Sequence, residues 1–338
     1  MSQLNLLIPK VESLESNQPV SKAGTSQLKS EPLDFSSLIG QSIAHYLLSN
    51  AIATNRIAPA YLFAGPEGVG KELAARIFSA QLLGTQQSLS NHPDLLMIEP
   101  TFQHQGKLIG SSMLEATEQK QKYPPFIRIE QIRELIQFLS YSAQVATRKI
   151  AIVRDAHAMT LNAANALLKA LEELKSGTVI LLSSRPQQLL PTIVSRSQSI
   201  PFGRLNSDEM FSVLTNICRA DILNNSVVLS LAAGSPGQAI AHFRQLQSIP
   251  QALLSQLSSP PNAALAAIQL AKEIDTALEY HQQIWLLDNI QHSWWHRYHD
   301  VTLIEKVESA KTALTKMVSS RLVWDTLLLP SNNADKCC

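Results

Sequence analysis

Residues 65–72 read Gly-Pro-Glu-Gly-Val-Gly-Lys-Glu. Gly65, Pro66, Glu67, Gly68, Val69, Gly70 and Lys71 complete a phosphate-binding loop, in which backbone amides turn inward to meet phosphate oxygens and Lys71 brings a point charge to the outer phosphates. The next position breaks the pattern. Ser or Thr there would put a hydroxyl on magnesium, whereas Glu72 carries a carboxylate toward the phosphates. A second break lies at the end of the apolar run Ile150-Ala151-Ile152-Val153. Hydrolysis needs one carboxylate to hold the metal through water and another to orient the attacking water, yet this run ends in Arg154-Asp155. A register shifted by one residue makes Asp155 the metal ligand and Ala156 the base, which is still incomplete. Two breaks in one reaction suggest a chain built like a nucleotide hydrolase but doing another job.

Such a loop must be held between a strand and a helix. Tyr61-Leu62-Phe63-Ala64 reads as the buried strand, and Leu73, Ala74, Ile77, Phe78 and Leu82 are spaced for one buried face of the helix. Ala44, Leu47, Leu48 and Ile52 give an earlier helical period. Further on, the pattern predicts strands over 95–98, 150–153 and 178–182, and helices over 129–141 and 160–174, the last capped by Thr160. This alternation predicts an α/β domain over 35–202, a parallel sheet covered by helices, with the hydrophilic segment 101–123 as an insertion. After Pro201 strand signals stop. Helical periods broken at Gly234-Ser235-Pro236-Gly237 and at Pro260-Pro261 predict a small helical domain over 203–246 and an all-α domain over 250–330. Residues 1–34 are rich in Ser, Gln, Lys and Pro and read as a mobile tail, with 331–338 a second one.

Composition sets outer bounds. The 338 residues are 45% hydrophobic and 16% charged, a globular composition with room for several cores. Lys plus Arg (28) balance Asp plus Glu (27), so bulk charge supplies no field for a polyanion. Cys218, Cys337 and Cys338 have neither disulfide-framework nor zinc-ligand spacing. With no signal-peptide order and no apolar run near the roughly 18 residues of a membrane span, the expectation is a cytoplasmic protein without a membrane partner.

The motifs gain weight in series. Leu38-Ile39-Gly40-Gln41, the glycine loop, His92-Pro93-Asp94, the helix 165–173, Ser183-Ser184, Ile193-Val194-Ser195-Arg196 and Gly234-Ser235-Pro236-Gly237 follow one another in that order. Together they resemble the clamp-loader branch of the AAA+ proteins, and within it the delta-prime family of bacterial DNA polymerase III, from Phe35 to about Phe243. Beyond that point the match is only to a helical domain. The resemblance implies a AAA+ nucleotide-binding domain, a helical lid and a helical collar that joins a motor subunit (gamma/tau) and a delta subunit in a ring-like assembly. That assembly opens a sliding clamp and places it on primed DNA. The resemblance also implies that Arg196 is an arginine finger reaching a neighbouring subunit's ATP site, with Ser197 in place of the family's usual Cys. A planar, permanently charged guanidinium suits that work.

The departures choose among relatives. Motor subunits carry Arg where this chain has Gly237 and a complete metal-binding strand end where it has Arg154, so the resemblance is to delta-prime. The loop 65–71 then takes ATP or ADP if it takes a nucleotide, and which of them stays open. The segment 84–91 lacks the family's four-cysteine zinc module, so neither zinc nor another metal site is expected. In the tail, Gln3-Leu4-Asn5-Leu6-Leu7 resembles the short peptides that clamp partners insert into the sliding clamp, with Leu6 and Leu7 filling an apolar pocket and Gln3 hydrogen-bonding at its rim. The expected function is a non-hydrolysing clamp-loader subunit, lacking polymerase activity and effective ATPase activity on its own. The alternative is an active AAA+ ATPase such as the motor subunit, which must explain Glu72, Arg154 and Gly237 at once. A P-loop nucleoside kinase has no acceptor-site constellation here to support it.

Overall fold

Apolar runs too short for helices and too continuous for half-exposed strands build the centre of this protein. In a computed structural model, which describes residues 34–85, 89–104, 107–111, 125–174, 177–316 and 318–329, four of them and one polar edge strand form a five-stranded sheet. Its strands are β1 (Ala60–Ala64), β2 (Leu95–Ile98), β5 (Ile150–Val153), β6 (Thr178–Ser183) and β7 (Gln198–Pro201), in the order β2-β5-β6-β1-β7. Every neighbouring pair is parallel. Side chains alternate between two cores: Tyr61, Phe63, Ile150, Ile152, Ile180 and Leu182 face one, while Leu62, Ala151, Val153, Val179 and Leu181 face the other.

Helices cover both faces. On the first lie α1 (Ser42–Ala53) and α2 (Lys71–Leu83), the latter burying Ala74, Ile77 and Phe78. Leu73, expected on that face, is 38% exposed. At 100° per residue it falls at the border between the arc of Glu72 and Arg76 and the buried arc that begins at Ile77, and in the first turn that border is open to solvent. On the second face lie α3 (Ile129–Ser140) and α4 (Leu161–Glu173), whose N-cap Thr160 accepts from Ala163 N–H as its position suggested. The segment 101–123 contributes an antiparallel hairpin, β3 (Thr101–His104) and β4 (Lys107–Gly110). Strand β7 was not legible beforehand. Only Ile200 of it is buried, and Pro201 is tolerated because the strand lies at the sheet's edge.

Among the described residues no strand follows Pro201. A short helix α5 (Pro191–Ser195) precedes β7, and α6 (Ser207–Asn216), α7 (Ser226–Ala232) and α8 (Pro236–Ser248) follow it. Met210, Leu214, Val228 and Ala239 from these last three extend the core on the α1–α2 face. A separate core unites α9 (Gln251–Gln256), α10 (Ala264–Ala277), α11 (Tyr280–Tyr298), α12 (Val301–Thr315) and α13 (Ser320–Leu328). Its buried indoles find partners: Trp294 Nε1 donates to Leu257 O at 2.9 Å and Trp324 Nε1 to Gln283 Oε1 at 2.8 Å. Trp285 Nε1 donates to His242 Nδ1 of α8 at 2.8 Å, joining the two helical regions.

A candidate nucleotide site closed from within

The phosphate loop runs between β1 and α2, as the residue pattern required. Gly70 caps α2 with φ +101°, a left-handed conformation that a side chain would strain. Lys71 is only 9% exposed, and its ammonium is turned back on the loop. Nζ donates to Gly65 O at 2.7 Å and also to Pro66 O. Burial pushes its pKa down, against the opposing pull of Asp155 and Glu67.

The two positions that depart from a hydrolase meet in space. Arg154 Nη2 lies 3.1 Å from Glu72 Oε2, and its Nη1 donates to Glu99 Oε2 at 3.0 Å. Arg76, one turn along α2, holds the other oxygen of Glu72 at 2.8 Å. The result is a ladder of alternating charge, Arg76–Glu72–Arg154–Glu99, running from the phosphate-loop helix to the ends of β5 and β2. Magnesium, the ion such a loop implies, does not fit these residues, because the strand end that should offer it a carboxylate offers a guanidinium already bonded to Glu72, the residue that follows the loop lysine. Among the described residues no cluster of three or more metal-ligating side chains occurs. Asp155 takes a left-handed backbone with φ 44° and is exposed. Ser183, at the end of β6, lies 3.4 Å from His157 Nδ1.

The helix α8 closes over the loop. Ser235 Oγ donates to Glu67 O at 2.7 Å, and Gly237 N–H donates to Gly68 O at 3.0 Å. The approach is tight enough that a Cβ on Gly237 would stand 2.6 Å from Gly68 Cα. Gln41, 4% exposed, adds a third tie, with Nε2 donating to Val69 O and Gly203 O and Oε1 accepting from Gly203 N–H. The loop thus keeps its backbone shape while its lysine is engaged by its own carbonyls, Gly65 O and Pro66 O. Glu99, Arg76, Ser235 and Gln41 were not singled out for these roles by sequence reasoning. For Gln41 the only signal was its place in the Leu38-Ile39-Gly40-Gln41 motif.

Arg196 stands elsewhere, at the C-cap of α5. Its side chain is 43% exposed and pairs with Glu172 of α4 at 2.8 Å. Asp94 of His92-Pro93-Asp94 is fully buried and accepts from the backbone N–H groups of Gln144, Val145 and Ala146 at 2.7, 2.8 and 2.8 Å, which fixes the chain between α3 and β5. The residues Gln3, Leu6 and Leu7 lie outside the described residues.

The parallel sheet, the glycine loop entering α2 and the helices closing over it define a AAA+ P-loop domain followed by an all-helical region. Two family models divide the chain: residues 40–206 match one described as DNA polymerase III, delta subunit, and residues 208–331 match the cyanobacterial DNA polymerase III delta prime, C-terminal domain. The chain belongs to the delta-prime family of DNA polymerase III subunits. It is 33% identical to DNA polymerase III subunit delta' of Pseudomonas aeruginosa over 234 residues, 61% of this chain and 65% of that protein. With the subunit delta' of Bacillus subtilis it shares 34% over 174 residues, 47% of this chain and 46% of that protein. With subunit tau of Bacillus subtilis it shares 26% over 220 residues, 63% of this chain and 38% of that one. The matches thus span less than two thirds of these relatives' own length. Among the described residues no helix is long and apolar enough to cross a membrane.

Proposed function

We propose that this chain is a non-hydrolysing subunit of a DNA polymerase III clamp loader that supports assembly and lends Arg196 to the ATP site of a neighbouring motor subunit of the gamma/tau kind. A delta subunit, the sliding clamp and primed DNA complete the set of partners, and the cytoplasm is the compartment in which they meet. The observation that carries the reading is the 3.1 Å ion pair between Glu72 and Arg154, which sets a guanidinium where hydrolysis needs a metal-holding carboxylate. Lys71 turned onto its own loop supports it. A catalytic role for this chain then requires a group that works outside its own loop. Arg196 suits that role: it is exposed at a helix end, and its bond to the equally solvated Glu172 is worth only about 0–1 kcal/mol, so a partner's phosphates can draw it away.

The similarity to subunit tau favours a second reading, an active motor, but that reading has no account of the Glu72–Arg154 pair. Reconstitution of the chain with motor and delta subunits separates the two. Arg196→Ala should leave the complex intact while lowering stimulated ATPase activity and clamp loading, by roughly 10³-fold at the site it serves and less in a bulk assay with several sites. Arg196→Lys should rescue little, because an ammonium keeps the charge without the planar fork. Unchanged ATPase and loading in the Arg196→Ala assembly, or loss of folding, would remove the role in trans.

A further inference from the structure

We infer that the Arg154 guanidinium is a built-in replacement for the divalent cation, and that the carboxylates around it are a latent cation site which it keeps neutral. Glu72 and Glu99 come from different elements, α2 and the end of β2, and both place an oxygen within about one hydrogen bond of Arg154, at 3.1 and 3.0 Å. Two carboxylates brought together from separate elements repel unless a cation lies between them. In this chain the cation is covalently attached to β5. The arrangement also reaches the insertion: Gly110, at the end of β4, lies so close to Glu99 that a Cβ there would stand 1.9 Å from Oε1. The ladder therefore joins α2 to the ends of β5 and β2, next to the hairpin, a task that a bound ion would perform only while it stayed bound. Side-chain exposures of 23–37% along the ladder keep it within reach of solvent ions.

This inference rests on the non-hydrolysing reading of the site, but the two fail separately. ATP turnover would sink that reading, whereas unfolding temperatures of the nucleotide-free full-length chain decide this one. Thermal unfolding is followed in EDTA and in millimolar manganese for the native chain, Arg154→Gln and Arg154→Asp. The native Tm should be the same in both media. In EDTA the order should be native, then Arg154→Gln, then Arg154→Asp, which sets a third carboxylate beside the two and should lower Tm by about 4 °C or more. Manganese should restore at least half of that loss for Arg154→Asp and much less for Arg154→Gln, and its electron spin resonance signal should report bound ion only for Arg154→Asp. Should Arg154→Asp fail to fold in EDTA, folding in manganese is the supporting outcome and failure in both is the refuting one. Equal manganese stabilisation of all three chains, or an Arg154→Gln chain as stable as the native one in EDTA, would also overturn the inference.

Discussion

Replacing Gly237 by alanine tests how the lid helices α6–α8 are held on the phosphate loop. The added Cβ would meet Gly68 Cα at 2.6 Å and Gly68 O at 3.1 Å, and because both are backbone atoms neither can swing aside. Overpacking of this kind costs about 1–3 kcal/mol. Relieving it by moving α8 outward loosens the bonds from Gly237 N–H to Gly68 O and from Ser235 Oγ to Glu67 O, about 1 kcal/mol each. Against this, alanine is the better helix former by at most about 1 kcal/mol. The net expectation is a loss of about 2 kcal/mol, read as a lower urea midpoint by circular dichroism and as roughly thirtyfold faster amide exchange in 65–70 and 233–240. Tryptophan fluorescence is a poorer probe, since Trp294, Trp295 and Trp324 report the C-terminal helices and only Trp285 touches α8, through His242. Gly203→Ala is the control, because its Cβ meets nothing within 4 Å. If the two variants unfold and exchange alike, the lid is not held by this contact.

Three further results are expected. Asp94→Ala leaves three backbone N–H groups without their acceptor and should destabilise the sheet domain by on the order of 3 kcal/mol, measured by urea unfolding. Burial pushes the Asp94 carboxyl up, but those three amides and His92 together hold it below 3.8. Its contribution is therefore complete above the unfolded value and is lost as pH falls through the lower folded one, so Asp94→Asn should flatten the stability profile below about pH 4. A peptide of residues 1–12 should bind purified sliding clamp weakly in a fluorescence titration, and equal signals from a peptide with Leu6→Ala and Leu7→Ala would dispose of that contact.

Much of the sheet domain could be read from residue order because fully buried parallel strands are continuous apolar runs, as in Ile150–Val153, and because Thr160 announces its helix. The edge strand Gln198–Pro201 could not be read so, since one buried residue in four leaves no run. For the site, the phosphate loop and the two departures at Glu72 and Arg154 were plain in one dimension. Their contact was not, because residues so far apart in sequence give no sign of being 3.1 Å apart in space. Glu99 was silent for the same reason. Gly237 was noticed as a missing arginine, whereas its positive use, letting two backbones touch, became visible only with the coordinates of Gly68. In the C-terminal region helical periods located the helices, but the pairing of Trp324 with Gln283 depends on tertiary approach that no periodicity encodes.

The strand order has a consequence in time. β1 lies inside the sheet, yet its two neighbours are β6 and β7, and its first residue pairs with Val179, so Ala60 must wait for a further 119 residues (179 − 60) to be made. At about 5–20 residues per second that wait is roughly 6–24 s. Throughout it, the apolar Ala-Tyr-Leu-Phe-Ala segment emerges from the ribosome with both of its edges unpaired. β2 is released sooner, once β5 arrives, but neither strand has a sheet to join before then. The nascent chain thus passes through an interval in which a strand destined for the core is an exposed apolar segment, and chaperone capture during synthesis is expected to concentrate there.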